Sequence, residues 1–240
     1  GLYKRVIERA REQGLIHQHR TIPLLEVAGD KPEARPAFNQ QEVNYLLEYM
    51  QDWERFGRNQ RSNHMRRLCR VYVEFLLGTG IRQGTESMPI RWKSLQWHWI
   101  GEQRYLRVWV SGKTGPRYLI AKHFVIEALE RLIAWQALPY ANLDAVIEAK
   151  LDRRVFVFPE GDAPHSLDSV FERLMVESGL FKDLTGKNRT LYSLRHTYAT
   201  VALAEGVDIH TLARQMGTST LMIERHYSKL TPMMAAEKLA

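Results

Sequence analysis

Residues 192–227 read YSLRHTYATVALAEGVDIHTLARQMGTSTLMIERHY. The apolar spacing in and around this stretch predicts three short helices, over 193–205, 208–216 and 220–228. Tyr192 and Arg195 lie three apart at the start of the first helix, so they share a face and can both point at one phosphate. Gly217 is a natural C-cap for the second helix. Thr218, Ser219 or Thr220 can cap the third, which carries Tyr227. Two helix ends and a tyrosine thus converge within a single stretch of chain.

Working upstream, helical patterns recur near 122–137, 140–150 and 166–178. Strand-like runs cover Leu95–Ile100, Tyr105–Val110 and Arg117–Ile120. The last two are joined by a turn, Ser111-Gly112-Lys113-Thr114-Gly115-Pro116, so the region reads as a small antiparallel sheet. Trp92, Trp97, Trp99 and Trp109 lie in or just before it and read as core rather than as base-stacking platforms. A helix over 62–78 turns Leu68, Val71, Phe75 and Leu76 inward and ends at Gly78-Thr79-Gly80. Asn39 reads as the N-cap of a helix beginning QQEVNYLLEYM. Pro32 and Pro36 mark a linker at 26–37. At the start of the chain, Leu2, Val6, Ile7 and Ala10 share one face of a helix over 2–13, stopped by Gly14. The whole is mainly α with a small antiparallel β-sheet, without an internal repeat at solenoid spacing.

The 240 residues are 45% hydrophobic and 25% charged, enough for a globular core. Thirty-four Lys and Arg against 27 Asp and Glu give a formal net charge of +7, a balance that favours a polyanionic partner. The single cysteine, Cys69, rules out an internal disulfide and reads as a buried thiol in a reducing compartment; no Cys/His spacing suits zinc. No apolar run reaches membrane-spanning length, so the expectation is a cytoplasmic protein without a membrane partner.

Five pieces carry candidate chemistry: Gly80-Ile81-Arg82, the Lys113 turn, Tyr192-Ser193-Leu194-Arg195-His196, Met216-Gly217-Thr218-Ser219 and Glu224-Arg225-His226-Tyr227. Taken singly, each has a plain structural explanation. In this order they resemble the tyrosine site-specific recombinase (phage integrase) family, over roughly residues 36–240. That family joins an Arg after a Gly, a β-hairpin Lys, a His-x-x-Arg, an LGH-like triplet and a Tyr nine residues past the triplet's last position. Thr218 to Tyr227 is such a step of nine.

The resemblance implies a tyrosine recombinase catalytic-domain fold over 38–240, a linker at 26–37, and in 1–25 the end of a helical core-binding domain. It implies that Tyr227 attacks the scissile phosphate to give a 3′-phosphotyrosine and a free 5′-hydroxyl. Arg82 and Arg195 would fork onto the non-bridging oxygens. Lys113 would protonate the leaving oxygen. Neither metal nor ATP is implied, so the cofactor expectation is none. The implied partners are double-stranded DNA attachment sites, in a homotetramer of phage or mobile-element origin. Family tails dock on a neighbouring subunit, and Met233, Met234, Ala236 and Leu239 are spaced for such a short helix.

Three positions depart from the family pattern. Tyr192 stands where His is usual, and a phenol donates a hydrogen bond but is a poor base near neutral pH. Thr218 stands where His or Trp is usual. The acidic residue often found three after the first Arg is replaced by Thr85, and Glu86 follows one later. A one-residue insertion within 82–86 would make Glu86 the supporting carboxylate. His196, His210 and His226 read as structural: His196 packing or bonding backbone, His210 capping or packing, His226 pointing to another helix face than Tyr227. Alternatives that keep part of the pattern are a type IB topoisomerase and a DNA-binding relative that has lost catalysis.

Overall fold

The computed structural model describes residues 2–17, 36–112 and 115–227, with side chains for 5–17, 36–112 and 115–226. The expected linker (apart from residues 36 and 37), Lys113 of the expected turn and the expected tail helix at 232–240 lie outside the described residues. The chain divides into two compact units, 1–33 and 34–240. In the first, helix α1 (Leu2–Glu12) is followed by Gly14 at φ +70°, the expected stop.

The second unit is built around helix α3 (Gln60–Thr79). Asn59 caps its start by accepting from the Ser62 N–H at 2.8 Å. From Leu68 onward the helix is buried on nearly every side, as an almost uninterrupted apolar run requires. Around it pack α2 (Gln40–Trp53), α4 (Phe124–Trp135), α6 (Asp168–Glu177) and α7 (Leu191–Ala204). Asn39 closes a capping box with Glu42 at the start of α2, as expected. Cys69 is fully buried within α3, and burial pushes its thiol pKa up.

Gly80 ends α3. It takes the left-handed conformation at φ +64° and its N–H donates to the Leu76 carbonyl at 3.0 Å. A Cβ here would also drive into the ring of Tyr198 on α7. This reversal delivers Ile81 to the core, fully buried, and turns Arg82 out of it, half-buried.

Strands β1 (Leu95–Ile100), β2 (Gln103–Gly112) and β3 (Gly115–Ile120) form one antiparallel sheet in the order β1-β2-β3. The β2–β3 ladder runs to Gly112↔Gly115, so the hairpin is tighter than the turn read from 111–116. Glycine at both ends, with Gly115 at φ +87°, lets pairing continue to the tip. One face buries Leu95, Leu106, Val108, Val110 and Leu119. The tryptophans divide, which corrects the expectation that all four are core. Trp92 is fully buried and Trp97 packs against the core. Trp99 and Trp109 are 58% and 41% exposed. Strand alternation puts Trp109 on the outward face with Arg107, and Trp99 sits at the open end of β1, past the packed part of the sheet.

Short helices α5 (Leu143–Glu148), α8 (Ile209–Met216) and α9 (Thr220–Tyr227) complete the described fold. Ala199 and Ala202 of α7, Leu212, Ala213 and Met216 of α8 and Ile223 of α9 form a small second core. Among the described residues, no helix is long and apolar enough to cross a membrane.

Candidate active site

The last carbonyls of a helix have no partner within it and carry the negative end of its dipole. At the end of α8 those carbonyls are taken by arginines from three distant parts of the chain. Arg195, on the first turns of α7, is 4% exposed; its Nη1 donates to the Gly80 carbonyl at 2.6 Å and its Nη2 to the Met216 carbonyl at 2.7 Å. Arg82 Nη2 donates to the Gly217 carbonyl. Arg117, on β3, reaches the Gln215 carbonyl with Nε at 3.3 Å and the Met216 carbonyl with Nη2 at 3.2 Å.

One carboxylate binds two of these guanidiniums. Glu86, 2% exposed, accepts from Arg82 Nη1 and from Arg117 Nη2, the latter at 2.8 Å. Burial alone would raise its pKa, but the hydrogen bonds and charges of Arg117 and Arg82 outweigh it and hold the carboxyl below its usual value. Burial, helped by repulsion from Arg82, lowers the Arg195 guanidinium to about 10, so it stays charged at neutral pH.

Gly217 at φ +61° ends α8, as expected of the C-cap, and its missing Cβ leaves room for the Arg117 guanidinium. Of the three capping candidates, Ser219 starts α9: its hydroxyl accepts from the Met222 N–H at 3.3 Å. Arg82, Arg117, Thr218, Ser219 and Met222 line an open concavity of about 650 Å³. Such a surface, ringed by guanidiniums held in place from behind, suits a dianionic or polyanionic group better than a neutral one.

No protein-family model and no curated protein matches the sequence. Solved structures do match the architecture. The XerH site-specific recombinase, bound to a palindromic difH substrate in a post-cleavage complex, aligns with a TM-score of 0.63 at 18% identity. That alignment covers 91% of this chain and 57% of the XerH chain. The Tn1549 transposon integrase in complex with circular intermediate DNA aligns at 0.60 and 18% identity, over 98% of this chain and 74% of that one. A lambda integrase dimer bound to a COC′ core site aligns at 0.57 and 15%, over 92% and 55%. The chain has the tyrosine recombinase catalytic-domain fold. It spans little more than half the length of the XerH and lambda integrase chains.

Within this recombinase fold, Arg82, Glu86, Arg195 and Thr218 come together at the α8–α9 junction. Tyr192, 38% exposed, lies one turn from His196 with the rings edge to face at 5.1 Å. His196 is in turn 5.9 Å from the ring of His226. His196 therefore packs, as expected, and His226 faces α7. His210 is exposed, and only its backbone N–H joins the helix cap, donating to Asp208 at 3.0 Å. Lys113 lies outside the described residues, and Tyr227 ends α9 with its side chain outside them.

Sequence reasoning missed Arg117 and Gln215. Gln215 ties α8 to the edge of β3, accepting from the Ile120 N–H at 2.9 Å and donating to the Ile120 carbonyl at 2.8 Å. The available signal for Arg117 was its parity: it shares the inward face of β3 with buried Leu119, where a charge needs a partner.

Proposed function

We propose that the chain is a site-specific DNA recombinase that cuts and rejoins strands through a phosphotyrosine on Tyr227. The observation that supports this most directly is the set of guanidiniums gathered on the α8 carbonyls, immediately before the helix that ends in Tyr227. In the reaction, the Tyr227 hydroxyl gives up its proton to solvent as its oxygen attacks phosphorus in line, and the bond to the 5′-oxygen breaks, leaving a 3′-phosphotyrosine. Arg82 and Arg195 meet the charge growing on the non-bridging oxygens, already aligned by Glu86 and by helix carbonyls. Tyr192 and Thr218 donate hydrogen bonds to the same phosphate. Lys113 gives a proton to the leaving 5′-oxygen, which becomes the free hydroxyl. Attack by a 5′-hydroxyl of another strand reverses the step, so the phosphodiester is conserved without ATP. The substrate is double-stranded DNA at attachment sites, the working assembly a homotetramer, and the place the cytoplasm, with the DNA.

A pool of nicked duplexes, in which the short cleaved fragment diffuses away, tests the reading. The wild-type chain should accumulate an SDS-stable DNA adduct. Tyr227→Phe should form none while binding duplex within a few-fold of wild type, since only one oxygen is lost. An adduct formed equally by Tyr227→Phe would assign the chemistry to another nucleophile.

A further inference from the structure

The outward face of the sheet is not a neutral back. Its centre is a row of planar groups running across all three strands. Gln96 on β1 accepts from Arg107 on β2, at 2.9 Å from Nη2 and 3.2 Å from Nε. The Arg107 guanidinium lies over the Tyr118 ring of β3, 4.5 Å from its centroid. Trp109 lies beside Tyr118 with ring centroids 4.7 Å apart. Both rings remain open, Trp109 at 41% and Tyr118 at 43% exposure. The outward positions of the ladder carry Arg107 and His98 and, among the described residues, no carboxylate. Tyr118 also borders the concavity lined by Arg82, Arg117 and Thr218, so this face continues from the candidate active site.

We propose that Trp109, Tyr118 and Arg107 form a stacking platform for unpaired bases of the DNA strand next to the cleaved phosphate. The proposal rests on the recombinase reading above. A strand that is rejoined to a new partner must first leave its old complement, and its bases then lose their stacking. Aromatic faces beside a fixed guanidinium replace that stacking for any base, because every base has a π-face. Intact duplex suits the platform poorly, since its bases are already stacked on one another. Gln96 holds the Arg107 guanidinium in place over Tyr118, so that pair needs little ordering when a base arrives. A face whose described ladder positions carry Arg107 and His98 and no carboxylate favours a polyanionic strand over a basic peptide.

The test is fluorescence anisotropy with a labelled oligothymidylate, which forms no duplex with itself, titrated with the full chain. Trp109→Ala and Tyr118→Ala should each weaken binding by about tenfold, the loss expected for one stacked base. Trp109→Phe, which keeps a ring, should stay within a few-fold of wild type. Unchanged affinity in both alanine variants overturns the proposal. So does an equal loss for oligothymidylate and for intact duplex, which would make the face a general backbone contact. Self-association of the wild type that the variants abolish, with oligothymidylate affinity unchanged, assigns the face to a second copy and overturns it too. The nicked-duplex adduct is a separate readout: its failure in a wild-type chain that binds oligothymidylate through Trp109 and Tyr118 would sink the recombinase reading alone.

Discussion

Replacing Glu86 by Gln removes one charge from the buried centre of the site and keeps its shape. The Glu86 side chain is fully inaccessible, and those of Arg117 and Arg82 are 13% and 23% exposed, so solvent screens the three weakly. Deleting one partner of a buried ion pair costs about 3–5 kcal/mol. Glutamine still offers one acceptor oxygen, which points to a loss of roughly 2–3 kcal/mol. In a domain of this size each kcal/mol moves Tm by roughly 2–4 °C, so Glu86→Gln should melt about 4–12 °C below wild type. The effect should depend on pH. Because the Glu86 pKa is lowered in the folded chain, its stabilisation is complete above the ordinary value of 4.5 and is lost as pH falls through the folded value. The gap between wild type and variant should therefore be full at neutral pH and close in acid. Glu86 acts through Arg82 and Arg117, so at a temperature where both proteins are folded, adduct formation should fall by about tenfold or more. Duplex binding should hold or tighten, because the variant is one unit more positive. Calorimetry at several pH values and single-turnover adduct assays measure both. A variant that melts within about 1 °C of wild type and cleaves normally would refute the reasoning.

Arg82→Ala and Arg195→Ala should each slow adduct formation by about 10² or more, and wild-type cleavage should persist in EDTA. Chelation that stops the reaction, with Mg²⁺ restoring it, would show that the arginines are not sufficient. Tyr192→Phe should slow cleavage only a few-fold and Tyr192→His should be tolerated, as for a donor rather than a base; full activity of the Tyr192→Phe, Thr218→Ala double variant would show that neither touches the phosphate. Gly217→Ala should lower stability by about 1–2 kcal/mol from the left-handed backbone alone. Its Cβ would also fall 2.4 Å from the Arg117 guanidinium carbon, so adduct formation should drop with it; wild-type melting and cleavage would mean the α8 end tolerates a shift.

Most elements were legible because their causes are local. The N-cap Asn39 and the stop at Gly217 depend on neighbours within a few residues, as does the α9 cap, which the sequence narrows to Thr218, Ser219 or Thr220, and the apolar period of α3 needs no partner to be seen. Glu86 was also within reach, since its bond to Arg82 spans four positions. Trp109 reads as core only while hydrophobicity is weighed before strand parity. Alternation from buried Val108 and Val110 already sets Trp109 outward, as the structure has it. Strand parity marks Arg117 as an inward charge, but its partners are not local: its carboxylate partner is 31 positions away and its carbonyl partners 98 and 99.

That distance has a mechanical consequence. A motif reading makes α7 the bearer of the site, because Tyr192 and Arg195 sit on it. In the fold, Arg195, Arg82 and Arg117 all close on carbonyls at the end of α8, and α9 starts three residues past Gly217. The α8 terminus is therefore the shared reference for the three guanidiniums and for the helix that ends in Tyr227. A change that shortens or unwinds the last turn of α8 moves both sets together relative to the sheet, whereas a change at the start of α7 acts on Tyr192 and Arg195. Gln215 belongs to this same joint: by pairing with both polar groups of Ile120 it sets the height of α8, and of the arginine cluster on its last carbonyls, against β3.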